Sequence, residues 1–274
     1  MNSHKKNTVT AIIQARATSS RLPGKVLKEV LGRPLLLFML ERVLDSKFID
    51  KIVVATTNNS QDDPVAKLAE KNGYLVFRGS EYNVLNRFYL AAKQFNADPI
   101  MRLTADCPLI DPELLDDLVI FFFDGKYDYA SNCLEPTLPD GLDAEIFTFK
   151  ALEDTFKNAV LPSHLEHVTP FIRENSDRFK IGSWRYHRDL SYHRWTVDQL
   201  EDFMLVQQVF KNLYSVNNKF RMNNIIELFK EKPEIKKINA NIKRNEGLLK
   251  SFKEDKKWLN SSTSDKKEYF SNGR

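Results

Sequence analysis

Short apolar runs alternate with longer amphipathic stretches through the first half of the chain, and their periods separate strands from helices. Residues 10–14 (T-A-I-I-Q) and 51–56 (K-I-V-V-A-T) are compact and largely apolar, as expected of strands buried on both faces. Residues 34–46 predict a helix with a proline near its start, Asp63-Pro64 opens a second helix that ends before Gly73, and residues 84–95 predict a third. Strands are predicted at 74–77 and 100–103, and Asp111-Pro112 starts a further helix. This alternation implies an α/β fold, a mostly parallel sheet flanked by helices on both faces. Such sheets bind ligands at the carboxyl ends of their strands, so the loops beginning at Ala15, Thr57 and Thr104 are expected to be neighbours.

From Tyr127 the pattern changes. Residues 127–132, a proline-containing loop and the alternating stretch 142–149 predict a strand pair covering one end of the sheet. Helices are expected at 152–158, 164–175 and from about 198 to 210, with a strand near 179–184. No internal repeat is present. Beyond Asn239 the chain is rich in Lys, Asn and Glu, and residues 260–274 have so little to bury that a disordered tail is expected after a single domain spanning 1–259.

Composition narrows the class. The 274 residues, 42% apolar and 28% charged, suit one globular domain, and no apolar run reaches bilayer length. The N-terminal residues lack an apolar signal region, so a cytoplasmic location is expected, without membrane association. The two cysteines, Cys107 and Cys133, support neither a disulfide framework nor a zinc site. Net charge is +4, yet residues 211–274 hold 16 basic and 8 acidic residues while residues 1–210 hold 25 and 29. The basic excess therefore lies outside the predicted ligand-binding body, and no nucleic-acid partner is expected.

Chemistry is concentrated in A-I-I-Q-A-R-A-T-S-S-R-L-P-G-K over residues 11–25. A buried strand runs into a small-residue loop whose backbone N–H groups can approach phosphate oxygens, with Arg16, Arg21 and Lys25 supplying positive charge beside Ser19 and Gly24. Arg21 is either a third phosphate contact or a hinge of the loop. Lys25 is followed by Val26 and no glycine stands five residues before Gly24, so this is not the G-x-x-x-x-G-K-[ST] loop; a G-x-G-x-x-G fingerprint is also absent. Asp106, just past a predicted buried strand, lies at the ligand-binding edge. Because Asp111 already starts the next helix, Asp106 is not needed as its cap. Asp198 precedes a helix with Glu201 three residues on, which is also the spacing of a capping box.

The loop resembles the signature A-R-x-x-S-x-R-L-P-G-K of nucleotidyltransferases that activate sugars. It is similar to that of CMP-ketodeoxyoctonate synthetases and most closely to the spore-coat-polysaccharide cytidylyltransferase-like family. The segments D-C-P-L after Thr104, R-W-T-V-D over 194–198, F-R-G-S over 77–80, P-D-G-L-D-A-E over 139–145 and E-H-V-T-P over 166–170 extend the resemblance. It implies a Rossmann-like, GT-A-type sheet with a smaller β-containing acceptor or dimerisation subregion. Residues 10–125 would then be the nucleotide-binding half, and 126–259 the acceptor-binding half with C-terminal helices.

The implied reaction is attack by a sugar-like acceptor on the α-phosphate of CTP with loss of pyrophosphate. The resemblance implies Mg²⁺ held by Asp106 and Asp198, with Arg16 and Lys25 on the triphosphate. Gln14, Ala15, Arg16, Ser19, Arg21, Lys25, Arg78, Ser80, Arg87 and Asp106 are expected around the nucleotide, although Arg87 could equally be a surface arginine. Asp140, Asp143, Glu145, Glu166, His167 and Arg194 are expected at the acceptor. Two positions depart from the family pattern: Asn83 replaces an Asp, and Leu165 replaces an Arg, which implies either a less acidic acceptor or anion recognition by Arg173, Arg194 or His193 instead. A homodimer is also implied, with apolar patches at 142–149 and 203–210 as candidate contacts, although core packing explains these patches equally well. A guanylyl- or uridylyltransferase, a GT-A-type glycosyltransferase and a non-enzymatic nucleotide-binding regulator remain alternatives.

Overall fold

The computed structural model describes residues 8–242, 244 and 246–261. Strand β1 (Val9–Gln14) leads through the loop and a single turn at Lys25–Leu27 into the hairpin β2 (Glu29–Val30) and β3 (Arg33–Pro34), then α1 (Leu35–Leu44). The alternation continues as β4 (Ile49–Thr57), α2 (Asp63–Lys71), β5 (Leu75–Gly79), α3 (Val84–Gln94), β6 (Ile100–Thr104) and α4 (Pro112–Gly125). The second half comprises β7 (Tyr129–Ser131), β8 (Glu145–Phe147), α5 (Phe149–Asn158), α6 (Pro162–His167), α7 (Pro170–Glu174), β9 (Ile181–Ser183), α8 (Leu200–Leu213), α9 (Met222–Glu231) and α10 (Glu246–Leu259).

Among the described residues, seven strands form one sheet in the order β5-β4-β1-β6-β8-β7-β9. The first four are parallel, β8 is antiparallel to both β6 and β7, and β9 is parallel to β7. Alternation along β1 explains the two-sided burial. Ala11 and Ile13 face a core with Leu36, Met39 and Leu40 of α1 and Leu115 and Leu118 of α4, while Ile12 faces Leu85 and Phe88 of α3, Leu152 of α5 and Ile172 of α7. A third cluster packs Leu35 and Phe38 of α1 against Trp195 and the apolar faces of α8 and α9, bringing the C-terminal half beside the sheet. The residue 203–210 patch is largely used there: Leu205, Val206, Val209 and Phe210 are buried in this core.

Three expectations change. The strand pair near 127–149 does not cover the sheet end but joins the sheet as β7 and β8, because its inward residues continue the existing cores. The helix expected over 164–175 is two helices. Val168 adopts a left-handed φ of 70°, and Pro170 then begins α7, where its missing N–H costs nothing. Finally, α8 begins at Leu200, with Gln199 as its cap and Asp202, rather than Glu201, as the reciprocal residue of the capping box. The tail expected at 260–274 falls outside the described residues from 262 onward. Among the described residues no helix is long and apolar enough to cross a membrane.

Candidate active site

The loop after β1 is built around one residue, Ala17, through the two peptide groups that flank it. The carbonyl of Ala17 accepts from Ser19 N (3.0 Å) and Gly24 N (2.9 Å), and its N–H donates to Asp62 (2.6 Å). Gly24 takes φ 68°, a left-handed turn that sends Lys25 back over the sheet edge. The N–H groups of Thr18 and Ser20 meet no acceptor among the described residues, and the exposed Arg16 side chain makes no ion pair with them. An open cavity of about 440 Å³ lies between Ala17, Thr18, Ser19, Ser20, Pro23 and Gln61. Lys25, Asp106 and Asp198 do not line it, so the side-chain geometry, more than this cavity, defines the chemistry.

Two loops distant in sequence meet Lys25. Ala105 N donates to Gln14 O (3.0 Å) and Val197 N to Asp106 O (2.8 Å), which stitches the strand ends to the segment before α8. Asp140 exchanges backbone bonds with His193, Trp195 and Thr196. The close approach requires Gly141, with φ 110°: a Cβ there would lie 2.4 Å from Thr196 N. The result places Lys25 Nζ 2.7 Å from Asp106 Oδ2 and 2.7 Å from Asp198 Oδ1, with side-chain exposures of only 12%, 23% and 22%.

Neither carboxylate serves as a helix cap. Asp111 caps α4 by accepting from Glu113 N, and Gln199 with Asp202 caps α8. Arg21 lies 3.0 Å from Asp198 Oδ1, and Arg194 lies 3.2 Å from Asp198 Oδ2. Burial alone would raise the Asp198 pKa, but Lys25 and then Arg21 outweigh it and bring it down to about 2. Burial similarly opposes the charge on Lys25, and Asp106 with Asp198 overrides it to raise its pKa.

The cluster extends toward the second half. Arg194 binds Asp140 (2.7 Å), and Arg244 binds Asp143 (2.6 Å). Burial, followed by the neighbouring Asp143, pushes Asp140 up to about 7 despite both arginines; burial also raises Asp143. Gln14 accepts from Arg102 (3.0 Å), which turns its amide NH₂ outward from that bond, and Arg102 also pairs with Glu145. Glu145 is buried and accepts from Tyr129 and Thr169 as well, so its oxygens are occupied by the protein itself. Glu166 and His167 turn to α10, where both bond Ser251. These two are therefore tied to the C-terminal helix rather than to the Lys25 cluster.

On the other side of β1, Arg78 donates to the carbonyls of Thr57 (2.9 Å) and Asn59 (2.8 Å) and pairs with Asp63 (2.7 Å), bracing the loop after β4. Arg87 is buried, not a surface arginine, and donates to the Ser80 carbonyl (2.5 Å). Ser80 Oγ accepts from Asn83 N, and Asn83 caps α3 through Asn86 N (2.9 Å), a task for which a neutral amide oxygen suffices. Leu165 lies in the apolar core with α3 and α5.

Four participants were not evident beforehand. Asp202, Arg102, Asp62 and Arg244 organise the site from within. Two had a signal: Gln199 and Asp202 have capping-box spacing, and Arg102 is a charge inside an apolar strand.

The donor set fits a divalent cation. Two carboxylates from separate loops converge on one point occupied by an ammonium, and Mg²⁺ commonly takes one or two protein carboxylates and completes its shell with water and phosphate oxygens. Beside them lies a cationic loop with free N–H donors, an arrangement able to receive a polyphosphate.

Comparison with known proteins agrees with this chemistry. The family model described as Cytidylyltransferase matches residues 10–254. The chain is 39% identical over 248 residues to uncharacterized protein MJ1063 of Methanocaldococcus jannaschii, covering 90% of this chain and 98% of that protein. It is 34% identical over 214 residues to spore coat polysaccharide biosynthesis protein SpsF of Bacillus subtilis, covering 75% and 87%. The structure of a cytidylyltransferase from Leptospira borgpetersenii superposes with a TM-score of 0.79 at 39% identity, covering 84% of this chain and 97% of that one. CMP:2-keto-3-deoxy-manno-octonic acid synthetase complexed with CTP shares the fold, with a TM-score of 0.59 at 17% identity and coverage of 74% and 98%.

Proposed function

The chain belongs to the cytidylyltransferase family, and from that premise we propose that it activates a sugar, acidic sugar or phosphorylated polyol with CTP in a Mg²⁺-dependent reaction that releases pyrophosphate. The observation that carries this reading is the convergence of Lys25 on Asp106 and Asp198 at 2.7 Å each. The similarity to SpsF favours surface-polysaccharide biosynthesis as the setting.

An oxygen of the acceptor forms a bond to the α-phosphorus while the bond from that phosphorus to the bridging oxygen breaks, and pyrophosphate leaves with the electron pair. A hydroxyl acceptor loses its proton to solvent; a phosphate acceptor has none to lose. Charge builds on the phosphoryl oxygens and on the leaving group, so fixed cations aimed there lower the barrier. Asp106 and Asp198 would hold Mg²⁺, which when bound neutralises phosphate charge. Arg16 would meet the triphosphate as a planar fork and Lys25 as a point charge, with the Thr18 and Ser20 N–H groups as further donors. Lys25 and then Arg21 keep Asp198 ionised, and Arg194 helps to aim it. Gln14 and the braced loops around Arg78, Ser80 and Arg87 would form the nucleoside wall, and Asp140, Asp143 and Arg194 would face the acceptor.

The test is to supply each nucleoside triphosphate with Mg²⁺ and a panel of sugar phosphates, acidic sugars and phosphorylated polyols, and to follow pyrophosphate. Release confined to CTP supports the proposal. Release with GTP or UTP but not CTP, or with no pair at all, would overturn it.

A further inference from the structure

Asp62 has no part in the chemistry above, yet it is completely buried, immediately after Gln61, which lines the cavity beside the phosphate loop. Its carboxylate has no ion-pair partner within 4 Å among the described residues. Its oxygens are used differently: Oδ1 accepts the backbone N–H of Ala17 at 2.6 Å, and Oδ2 accepts the hydroxyl of Thr57, which is also fully buried at the end of β4. A buried carboxyl group left without hydrogen bonds is costly, so its position depends on those two bonds being well formed.

The residue it grips, Ala17, is the centre of the loop. From Asp62 the connection runs through Ala17 N–H, then through the Ala17 carbonyl to Gly24 N, and so to Lys25, the next residue. On its other side Ala17 is bonded covalently to Arg16. Both cations assigned to the triphosphate therefore diverge from a residue fixed to the end of the neighbouring strand. Glu81 adds an outer tie between the same loops, accepting from Thr18 Oγ1 and from Asn59.

We propose that Asp62 is a positioning residue for nucleotide binding: by holding the Ala17 peptide it sets the loop conformation that aims Arg16 and Lys25 at the triphosphate. The proposal rests on the phosphate-loop reading given above. It makes a distinction between acceptor geometry and charge. Asp62→Asn keeps a carbonyl oxygen for Ala17 N–H, and its amide can donate to Thr57, whose hydroxyl can reverse. Asp62→Ala removes the acceptor altogether.

The experiment measures thermal melting, steady-state kinetics with CTP and the acceptor varied separately, and calorimetric CTP binding for both variants and the wild type. Loss of an orienting partner behind reactive groups costs on the order of 10–100-fold. Asp62→Ala is expected to lose about that much in kcat/KM for CTP and in CTP affinity, with the acceptor KM unchanged. Asp62→Asn is expected to stay within about fivefold of wild type, as a retained acceptor allows. If Asp62→Ala does not fold, Thr57→Val provides the second test, since it frees one carboxylate oxygen and is expected to weaken CTP binding without moving the acceptor KM. Equal losses in the Asn and Ala variants, wild-type CTP affinity in Asp62→Ala, or equal shifts in both substrates' KM values would overturn the assignment. Failure of the wild type to release pyrophosphate from CTP would instead strike the proposed function.

Discussion

Arg194 grips Asp202 with two nitrogens, Nε to Oδ1 at 2.9 Å and a terminal nitrogen to Oδ2 at 3.0 Å. The fully buried Asp202 also accepts from the backbone N–H groups of Asp198 and Gln199, at 3.0 Å each, and from Asn239 at 2.8 Å. One carboxylate thus fixes both the arginine that steadies Asp198 and the peptide that carries Asp198. We predict that Asp202→Ala costs about 3–5 kcal/mol of stability, since it removes the two-nitrogen partner of a buried cation and the acceptor of two N–H donors. Urea unfolding measures this directly; a loss below about 1 kcal/mol, the scale of a surface ion pair, would show that Asp202 is dispensable.

Of the two candidate metal carboxylates, Asp106 was legible because it stands just past a β-rich apolar run, whereas the position of Asp198 before a helix suits a capping residue as well and only the resemblance of its R-W-T-V-D segment singled it out. Asp202 was not legible, because Glu201 offered the better-known capping partner one residue earlier, and only the turn of α8 decides which side chain reaches back. The first four parallel strands followed from periodicity for a similar reason, their continuous apolar runs being long enough to read. The strands Tyr129–Ser131 and Glu145–Phe147 are three residues each, too short for a period, and their antiparallel insertion next to β6 depends on long-range pairing. Glu145 was open to misreading for the same reason: acids near a turn suggest ligand recognition, but this one, the first residue of β8, points to Arg102 and Tyr129 inside the core.

Lys25 offers a sharper separation of catalysis from folding. Lys25→Met is predicted to reduce kcat by about 10²–10³, the usual effect of removing one donor at developing charge. The melting temperature should move little, because Arg21 and Arg194 still neutralise Asp198. Pyrophosphate release compared at saturating CTP, together with a thermal melt, checks both halves. Turnover near that of the wild type would remove Lys25 from the triphosphate.

Removing the cation and removing its ligand should converge on one phenotype. Chelation of Mg²⁺ is predicted to stop pyrophosphate release reversibly, and Asp198→Asn is predicted to abolish Mg²⁺-dependent turnover while leaving the fold intact. The neutral amide keeps the shape but loses the charge that Lys25 and Arg21 stabilise. A titration of rate against Mg²⁺ concentration distinguishes this from simple weakening: near-normal activity at saturating Mg²⁺ would mean that Asp198 is not a ligand.

A pH effect on stability is expected from His193, outside the cluster itself. Its ring packs between Tyr192, Trp195 and Phe229, with centroids 4.3, 5.8 and 5.5 Å away. Burial and then Lys236 lower its pKa to about 4. In the unfolded chain an imidazole titrates near 6.5. Between those values the unfolded state binds a proton that the folded state refuses, so stability must fall as pH drops from about 6.5 to about 4 and level off below. Because the ring is only partly buried, the contribution is discounted to on the order of 1–2 kcal/mol. His193→Phe keeps the aromatic packing and the backbone carbonyl that accepts from Asp140, while removing the titration. Carboxylates shared by both proteins cancel when urea midpoints are subtracted at each pH. The wild type should therefore lose stability relative to the variant as pH falls through this window, and parallel curves from pH 7.5 to 4 would show that the ring protonates freely in the folded protein.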